Sequence, residues 1–408
     1  MTYDEAVAWL YASQLHGIKL GLENIRRLVE ALKIDVAGPR APKFLHVAGT
    51  NGKGSVCALL DACCRAGGWR TGLFTSPHLV TFRERIRLDG EMISEADVAE
   101  GLTKIRALAA DWDHEPTFFE ITTALALAWF QGKGAQVVVL ETGMGGRLDA
   151  TNVVTPAVCT LTPIDLDHQQ WLGESLPDIA GEKAGILKPG VPAVSAPQAD
   201  EVRAVFDEVA RQQGTEVHYI DAPLEGYELA LAGSHQPWNA ALAVKTLSLA
   251  GLPVSVEAIT RGLREVVWPG RFQQIHERFI IDGAHNPAAA RRLALTWREV
   301  YGEKRASLIL GILRDKDVHG ICEALMPIAG RIMTVPVQNP RSSTPHEIAK
   351  AIGKIAPRHE CIAVRDLPAA IRFAKDDARR TLITGSLFLA GEALALFEAQ
   401  PAPERSAQ

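Results

Sequence analysis

The hydrophobic positions fall into short, nearly continuous runs separated by longer stretches of helical period. The first clear run, Phe44-Leu45-His46-Val47-Ala48, ends in a glycine-rich turn, and Ser55 to Arg65 then has helical character. The order is strand, loop, helix. A second buried strand is expected over Val137-Val138-Val139-Leu140, ending at Glu141, and a third over Ala157 to Leu161, ending near Asp165 and His168. Ile121 to Phe130 is an apolar run of helix length, and the first forty residues predict an amphipathic helix followed by loop. Strands apolar at every position, alternating with helices, predict a parallel sheet covered on both faces.

The pattern restarts after Trp268-Pro269-Gly270-Arg271, where the Pro-Gly pair suits a hinge. Beyond it lie Phe279-Ile280-Ile281, Leu308-Ile309-Leu310, Arg331 to Val335, Cys361 to Val364 and Leu382-Ile383-Thr384, with helix-like segments between. The fold expected is α/β in two parts. Residues 1–269 are expected to form a parallel-sheet domain of P-loop type, from its strand, glycine-rich turn and helix, and 270–408 a smaller Rossmann-like α/β domain. No GxGxxG follows the first strand of the second part, so a dinucleotide site is not indicated. The polar tail Pro401 to Gln408 is expected to be disordered.

A length of 408 residues suits two domains, and 47 % hydrophobic with 22 % charged residues is a globular balance. The net charge of -5 argues against a general nucleic-acid binder. No stretch approaches the roughly 18 apolar residues of a membrane span, and the N-terminus lacks the features of a signal peptide, which makes the cytoplasm the default location. The six cysteines include no CxxC pair, so buried thiols are expected rather than a zinc site or disulfides.

The strongest chemical signal is Gly49-Thr50-Asn51-Gly52-Lys53-Gly54-Ser55 between strand and helix. Glycines let backbone N–H groups approach phosphate oxygens, and a helix N-terminus favours anions. Lys53 can neutralise terminal phosphates and Ser55 can approach a metal or a phosphate. The spacing departs from the Walker pattern, since a glycine separates lysine from serine. Glu141, at the exit of a strand, lies where open α/β sheets bind ligands, and beside a phosphate loop it is a candidate magnesium ligand. His168 stands at another strand exit. Spacing alone makes Lys183 a surface lysine.

These segments, with Thr75-Ser76-Pro77-His78-Leu79, Glu141 to Asn152, Glu182 to Lys188, Pro269-Gly270-Arg271, Asp282 to Pro287 and Gly385-Ser386, resemble the folylpolyglutamate synthase and dihydrofolate synthase family, relatives of the Mur ligases. The likeness runs from Gly49 to about Glu392. It implies ligation of L-glutamate to dihydropteroate or a reduced folate, with ATP phosphorylating the carboxylate first. By the same resemblance Ser76, Glu141 and His168 hold magnesium, and Lys183 is carbamylated to hold a second. Lys53, Lys183 and His168 become catalytic candidates. Asn239, Arg271 and Asp282 join the phosphate loop at the nucleotide. Thr117-Phe118-Phe119-Glu120 and Leu148-Asp149-Ala150 match the pterin pocket, while His285 and Ser386 match positions near the incoming amino acid. A monomer is implied, with no nucleic-acid or membrane partner. Two other readings remain open: a Mur-type ligase of a cell-wall precursor, and a nucleotide switch that ligates nothing.

Overall fold

The computed structural model describes residues 1–16 and 21–404. Two compact units emerge. The first contains Met1–Ser76, Arg83–Ala230 and Pro237–Val266; the second contains Pro77–Phe82, Leu231–Gln236 and the chain from Val267 onward.

The first unit is built on eight strands: β1 (Lys43–Ala48), β2 (Thr71–Phe74), β3 (Ile86–Leu88), β4 (Glu91–Met92), β5 (Val137–Glu141), β6 (Val158–Leu161), β7 (Ala193–Ser195) and β8 (Val217–Tyr219). Their order across the sheet is β4-β3-β2-β5-β1-β6-β7-β8. From β2 to β8 every pairing is parallel, whereas β3 and β4 extend the edge antiparallel. The expected parallel sheet is thus the centre of a mixed one. The short strands β2, β3, β4, β7 and β8 each include a polar residue, so none of them stands out as an apolar run. On one face Ala48, Cys159, Leu161 and Ala193 pack with Ile179, Ala180 and Phe206 of the helices Leu176–Ala184 and Asp200–Gln213. Among the described residues of the first forty are two α-helices, Tyr3–Ala12 and Glu23–Leu32, where one was expected.

The second unit has β9 (Gln273–Ile275), β10 (Phe279–Ile281), β11 (Ala306–Leu310), β12 (Ala329–Thr334), β13 (Glu360–Ala363) and β14 (Thr381–Thr384), in the order β13-β12-β11-β14-β10-β9. Only β9 pairs antiparallel. Successive strand residues divide between two cores. Ile280, Leu308, Leu310 and Leu382 join Trp297 and Leu325 on one face, while Phe279, Ile281, Ile309 and Ile383 join Ile371 and Leu389 on the other. Period-two side chains on a sheet covered on both sides explain why these strands read as unbroken apolar runs.

Five of the six cysteines are buried, Cys361 is half-buried, and all are free thiols. The tail departs from expectation. Residues 401–404 are placed and 405–408 lie outside the described residues. The Glu404 carboxylate accepts from the Thr81 hydroxyl at 3.1 Å and the Phe82 N–H at 2.8 Å, and its own N–H donates to Val80 O at 2.8 Å. A polar composition signalled disorder because these partners lie more than three hundred residues away in sequence. Removing the Glu404 side chain by Glu404→Ala is expected to cost about 1 kcal/mol and lower the melting temperature of this unit by about 2–4 °C. Thermal unfolding checks this, and an unchanged midpoint would show that the tail contact contributes nothing.

Candidate functional site

Strand order assembles the site in the first unit. β2, β5, β1 and β6 are parallel neighbours, so their C-terminal ends share one edge, where open α/β sheets bind ligands. Val47 stands opposite Glu141 in the register, and Ala48 opposite Leu161. Glu141, the loop from Gly49 and the segment from Thr162 to His168 therefore leave adjacent strands side by side. From β2 the chain reaches Ser76, whose N–H donates to Glu141 Oε2 at 3.1 Å.

The phosphate loop is held at both ends. Thr50 and Asn51 donate their N–H groups to Pro163 O at 3.0 and 3.2 Å, and Asn51 Nδ2 donates to Asp165 Oδ2 at 2.9 Å. Gly49 has φ +149, and a Cβ there would lie 1.9 Å from Thr162 Oγ1. Gly52, at φ +88, caps the helix Lys53–Ala66, and a Cβ there would meet Asn239 Oδ1 at 3.0 Å. Asn239 thus belongs to the loop's surroundings. Lys53 Nζ donates to Gly49 O at 3.1 Å and Thr50 O at 3.4 Å, while Ser55 is buried in the helix's first turn.

Lys183 is not a surface residue. It is buried at the end of the helix Leu176–Ala184 and donates to Gly49 O at 2.8 Å. Burial, reinforced by the Lys53 charge, lowers its pKa to about 7, against the pull of Asp167 and Asp149. Spacing hid this because the helix packs onto the phosphate loop only in three dimensions. His168 adopts φ +53 as it turns the chain into the short helix Gln169–Leu172, and its ring is partly exposed.

The two segments matched to a pterin pocket do structural work as well. Thr117 and Glu120 form a reciprocal capping box on the helix Phe118–Gly132. Phe118 stacks on Tyr11 with ring centroids 5.6 Å apart and lies beneath the buried Arg85 guanidinium. Phe119 tilts against Phe74 and closes on Gly143, where a Cβ would lie 2.6 Å from its ring. Leu148 is half-buried and Ala150 buried. Asp149 is buried and binds the N–H groups of Gly143 and Met144, at 2.9 and 3.0 Å. Burial raises its pKa against the opposing hydrogen bonds.

In the second unit, Asp282 accepts from the N–H groups of Phe272 and Ala284, both at 2.8 Å, and burial raises its pKa against the nearby Arg271 charge. The Arg271 guanidinium lies against Gly283, where a Cβ would be 2.9 Å from its Nη1. His285 Nδ1 lies 2.8 Å from Gly283 O. Gly385, at φ +103, donates to Ala284 O at 3.1 Å, which joins the loops after β10 and β14. Ser386 is buried and caps the helix Leu387–Phe397.

Sequence reading missed the braces behind these residues. Thr162 limits Gly49 to glycine, and Asp165 holds Asn51. Gln198 accepts from Ile164 N and donates to Thr162 O. Their only signal was proximity to strand ends. Among the described residues no group of three or more His, Cys, Asp or Glu side chains could cage a cation. What the structure brings together at this edge is the Glu141 carboxylate and the Ser76 backbone N–H, and a carboxylate at a strand exit beside a phosphate loop suits a hard cation that completes its shell with phosphate oxygens.

Residues 270–387 match the Mur ligase, glutamate ligase domain. A phosphate loop on a parallel sheet, followed by that domain, defines an ATP-dependent ligase of the Mur superfamily. The chain is 33% identical to the dihydrofolate synthase/folylpolyglutamate synthase of Bacillus subtilis, over 95% of this chain and 97% of that one. It superposes on the E. coli enzyme in complex with DHPP and ADP with a TM-score of 0.87 at 31% identity, covering 97% of this chain and 98% of that one. On the bifunctional Yersinia pestis enzyme complexed with AMPPNP and Mn ion the TM-score is 0.86 at 32% identity, covering 98% of each. The chain belongs to the dihydrofolate synthase/folylpolyglutamate synthase family.

Gly49→Ala forces a side chain into Thr162 at a backbone angle that L-residues avoid. It is expected to cost about 2 kcal/mol or more and to abolish nucleotide binding. Calorimetry with ADP and thermal unfolding check this, and retained ADP affinity would show that the loop can re-form around the new side chain.

Proposed function

We propose that this protein joins L-glutamate to dihydropteroate and to the γ-carboxylate of reduced folates, using ATP and an acyl-phosphate intermediate. The observation that carries the reading is the buried Lys183 amine set against the phosphate loop, in a chain whose second part matches a glutamate ligase domain. A nucleotide switch has no need of that domain. The relatives' activities favour a pterin substrate over a cell-wall precursor. We assign residues 1–269 to ATP and pterin binding and 270–408 to the glutamate-ligase part, in a cytoplasmic monomer.

A carboxylate is a poor acyl donor until one oxygen becomes a good leaving group. The substrate carboxylate oxygen attacks the γ-phosphorus, the bond to the β-phosphate oxygen breaks, and ADP leaves. The glutamate amine then attacks the acyl carbon and phosphate departs. Positioning and charge neutralisation supply the rate. Gly49, Thr50, Asn51, Gly52, Gly54 and Ser55 cradle the phosphates, and Lys53 balances their charge. Asn239, Arg271 and Asp282 contact the nucleotide. Ser76, Glu141 and His168 would hold magnesium, which would supply positive charge to offset that on the phosphates. Phe119 and Leu148 face the pterin. Thr117, Phe118, Glu120, Asp149 and Ala150 shape that wall, and His285 and Ser386 serve the incoming glutamate.

Lys183 carries the finest part of the reading. A pKa near 7 leaves much of the amine neutral at neutral pH, the form that attacks carbon dioxide. The new N–C bond gives a carbamate once a proton is lost, turning a buried cation into an anion suited to a second magnesium.

Mass spectrometry of products from ATP, glutamate and each pterin substrate tests the reaction. Glutamyl products from dihydropteroate and from tetrahydrofolate are expected, and a product from a cell-wall precursor alone would overturn it. Lys53→Ala should abolish ligation with the fold intact. Glu141→Gln should weaken the magnesium dependence; an identical magnesium titration would remove Glu141 from the metal. Lys183→Ala should be inactive and partly rescued by short carboxylic acids. Full activity of that variant would end the carbamate proposal.

A further inference from the structure

Behind the loop from Gly143 to Thr151 runs a buried chain of hydrogen bonds that begins in the strand feeding the phosphate loop. His46, in β1, is fully buried, and its Nε2 lies 2.8 Å from Thr151 Oγ1. Thr151 Oγ1 lies 2.5 Å from Asp149 Oδ1, which also accepts the Thr151 N–H at 3.0 Å. The other oxygen, Oδ2, accepts from Gly143 and Met144. Each carboxylate oxygen therefore already takes two hydrogen bonds, close to the acceptor capacity of the group. Asp149 acts on the backbone of its own loop.

The direction of the chain follows from the proton inventory. A carboxylate only accepts, so the single Thr151 hydroxyl proton goes to Asp149. His46 must then donate from Nε2, and burial keeps the ring neutral with one N–H to give. At its far end the chain sets Gly143, against which the Phe119 ring is packed.

We propose that His46 and Thr151 are positioning residues for the pterin side of the site, fixing through Asp149 the Gly143–Met144 backbone and with it the Phe119 wall. The proposal rests on the folate reading of that wall. It also ties two substrates together. His46 lies in β1, and Gly49 follows directly on the end of that strand, so the strand that presents the phosphate loop also anchors the loop facing the pterin.

Paired substitutions separate positioning from simple stability. Thr151→Val keeps the shape and removes the hydroxyl, whereas Thr151→Ser keeps the hydroxyl. With Thr151→Val the KM for dihydropteroate is expected to rise about tenfold, with the KM for ATP within about twofold of wild type, and Thr151→Ser should restore most of the loss. His46→Leu should give the same split, and the double variant His46→Leu/Thr151→Val should be no worse than the poorer single variant, because both break one chain. A fall in melting temperature with both KM values unchanged, or an equal rise for ATP and pterin, would overturn the proposal. Should Thr151→Val fail to fold, His46→Gln, which retains an N–H donor, replaces it in the comparison with His46→Leu, and the same split is required. A wild-type enzyme that ligates glutamate to neither pterin would instead sink the functional reading, which the same assays reveal independently.

Discussion

The carbonyl oxygen of Gly49 is the point on which the first unit's chemistry turns. It takes hydrogen bonds from Lys53 and from Lys183, residues far apart in the chain and both cationic when protonated. Burial first, and the Lys53 charge second, lower the pKa of the fully buried Lys183 to about 7. The geometry that makes this possible is severe. Gly49 must approach Thr162 more closely than any side chain permits, and it does so only because it is glycine.

That approach is a product of the sheet. Parallel strands β2, β5, β1 and β6 align their C-terminal ends, and each contributes one loop. Loops are poor at holding catalytic geometry unless braced, and here each is braced by its neighbour. Pro163 and Asp165 hold the phosphate loop, Asp149 closes the loop after β5, and Arg147 N–H donates to Glu182 O at 2.8 Å, joining that loop to the helix of Lys183. The apolar sheet supplies rigidity, and the hydrogen bonds at its edge transfer that rigidity to the loops that leave the strands.

Several residues that family likeness places at the substrates spend their polar atoms on the protein itself. Thr117 and Ser386 cap helices, Asp149 ties a loop, and Asp282 holds the turn after β10. These bonds set the backbone conformation of the residues' own loops and helix ends, and so position the neighbouring groups.

The sequence by itself determined the alternation of apolar strands with helices, the restart near Gly270 and the phosphate loop, because each is encoded in local periodicity or in a contiguous motif. Glu141 was legible for the same reason, as an acid closing a buried strand. Only the tertiary structure decided that Lys183 is buried, that Phe118 lies in a core while Phe119 faces Gly143, that Glu404 docks on the segment from Val80 to Phe82, and that His46 reaches Thr151. Each of these depends on a partner remote in the chain, and burial is a property of the assembled core. A lysine on a helix reads the same whether its helix faces water or another strand's loop. The short strands β3, β4 and β7 were invisible for a related reason: with two or three residues each, they exist because a neighbouring strand offers hydrogen bonds, and no local pattern records that.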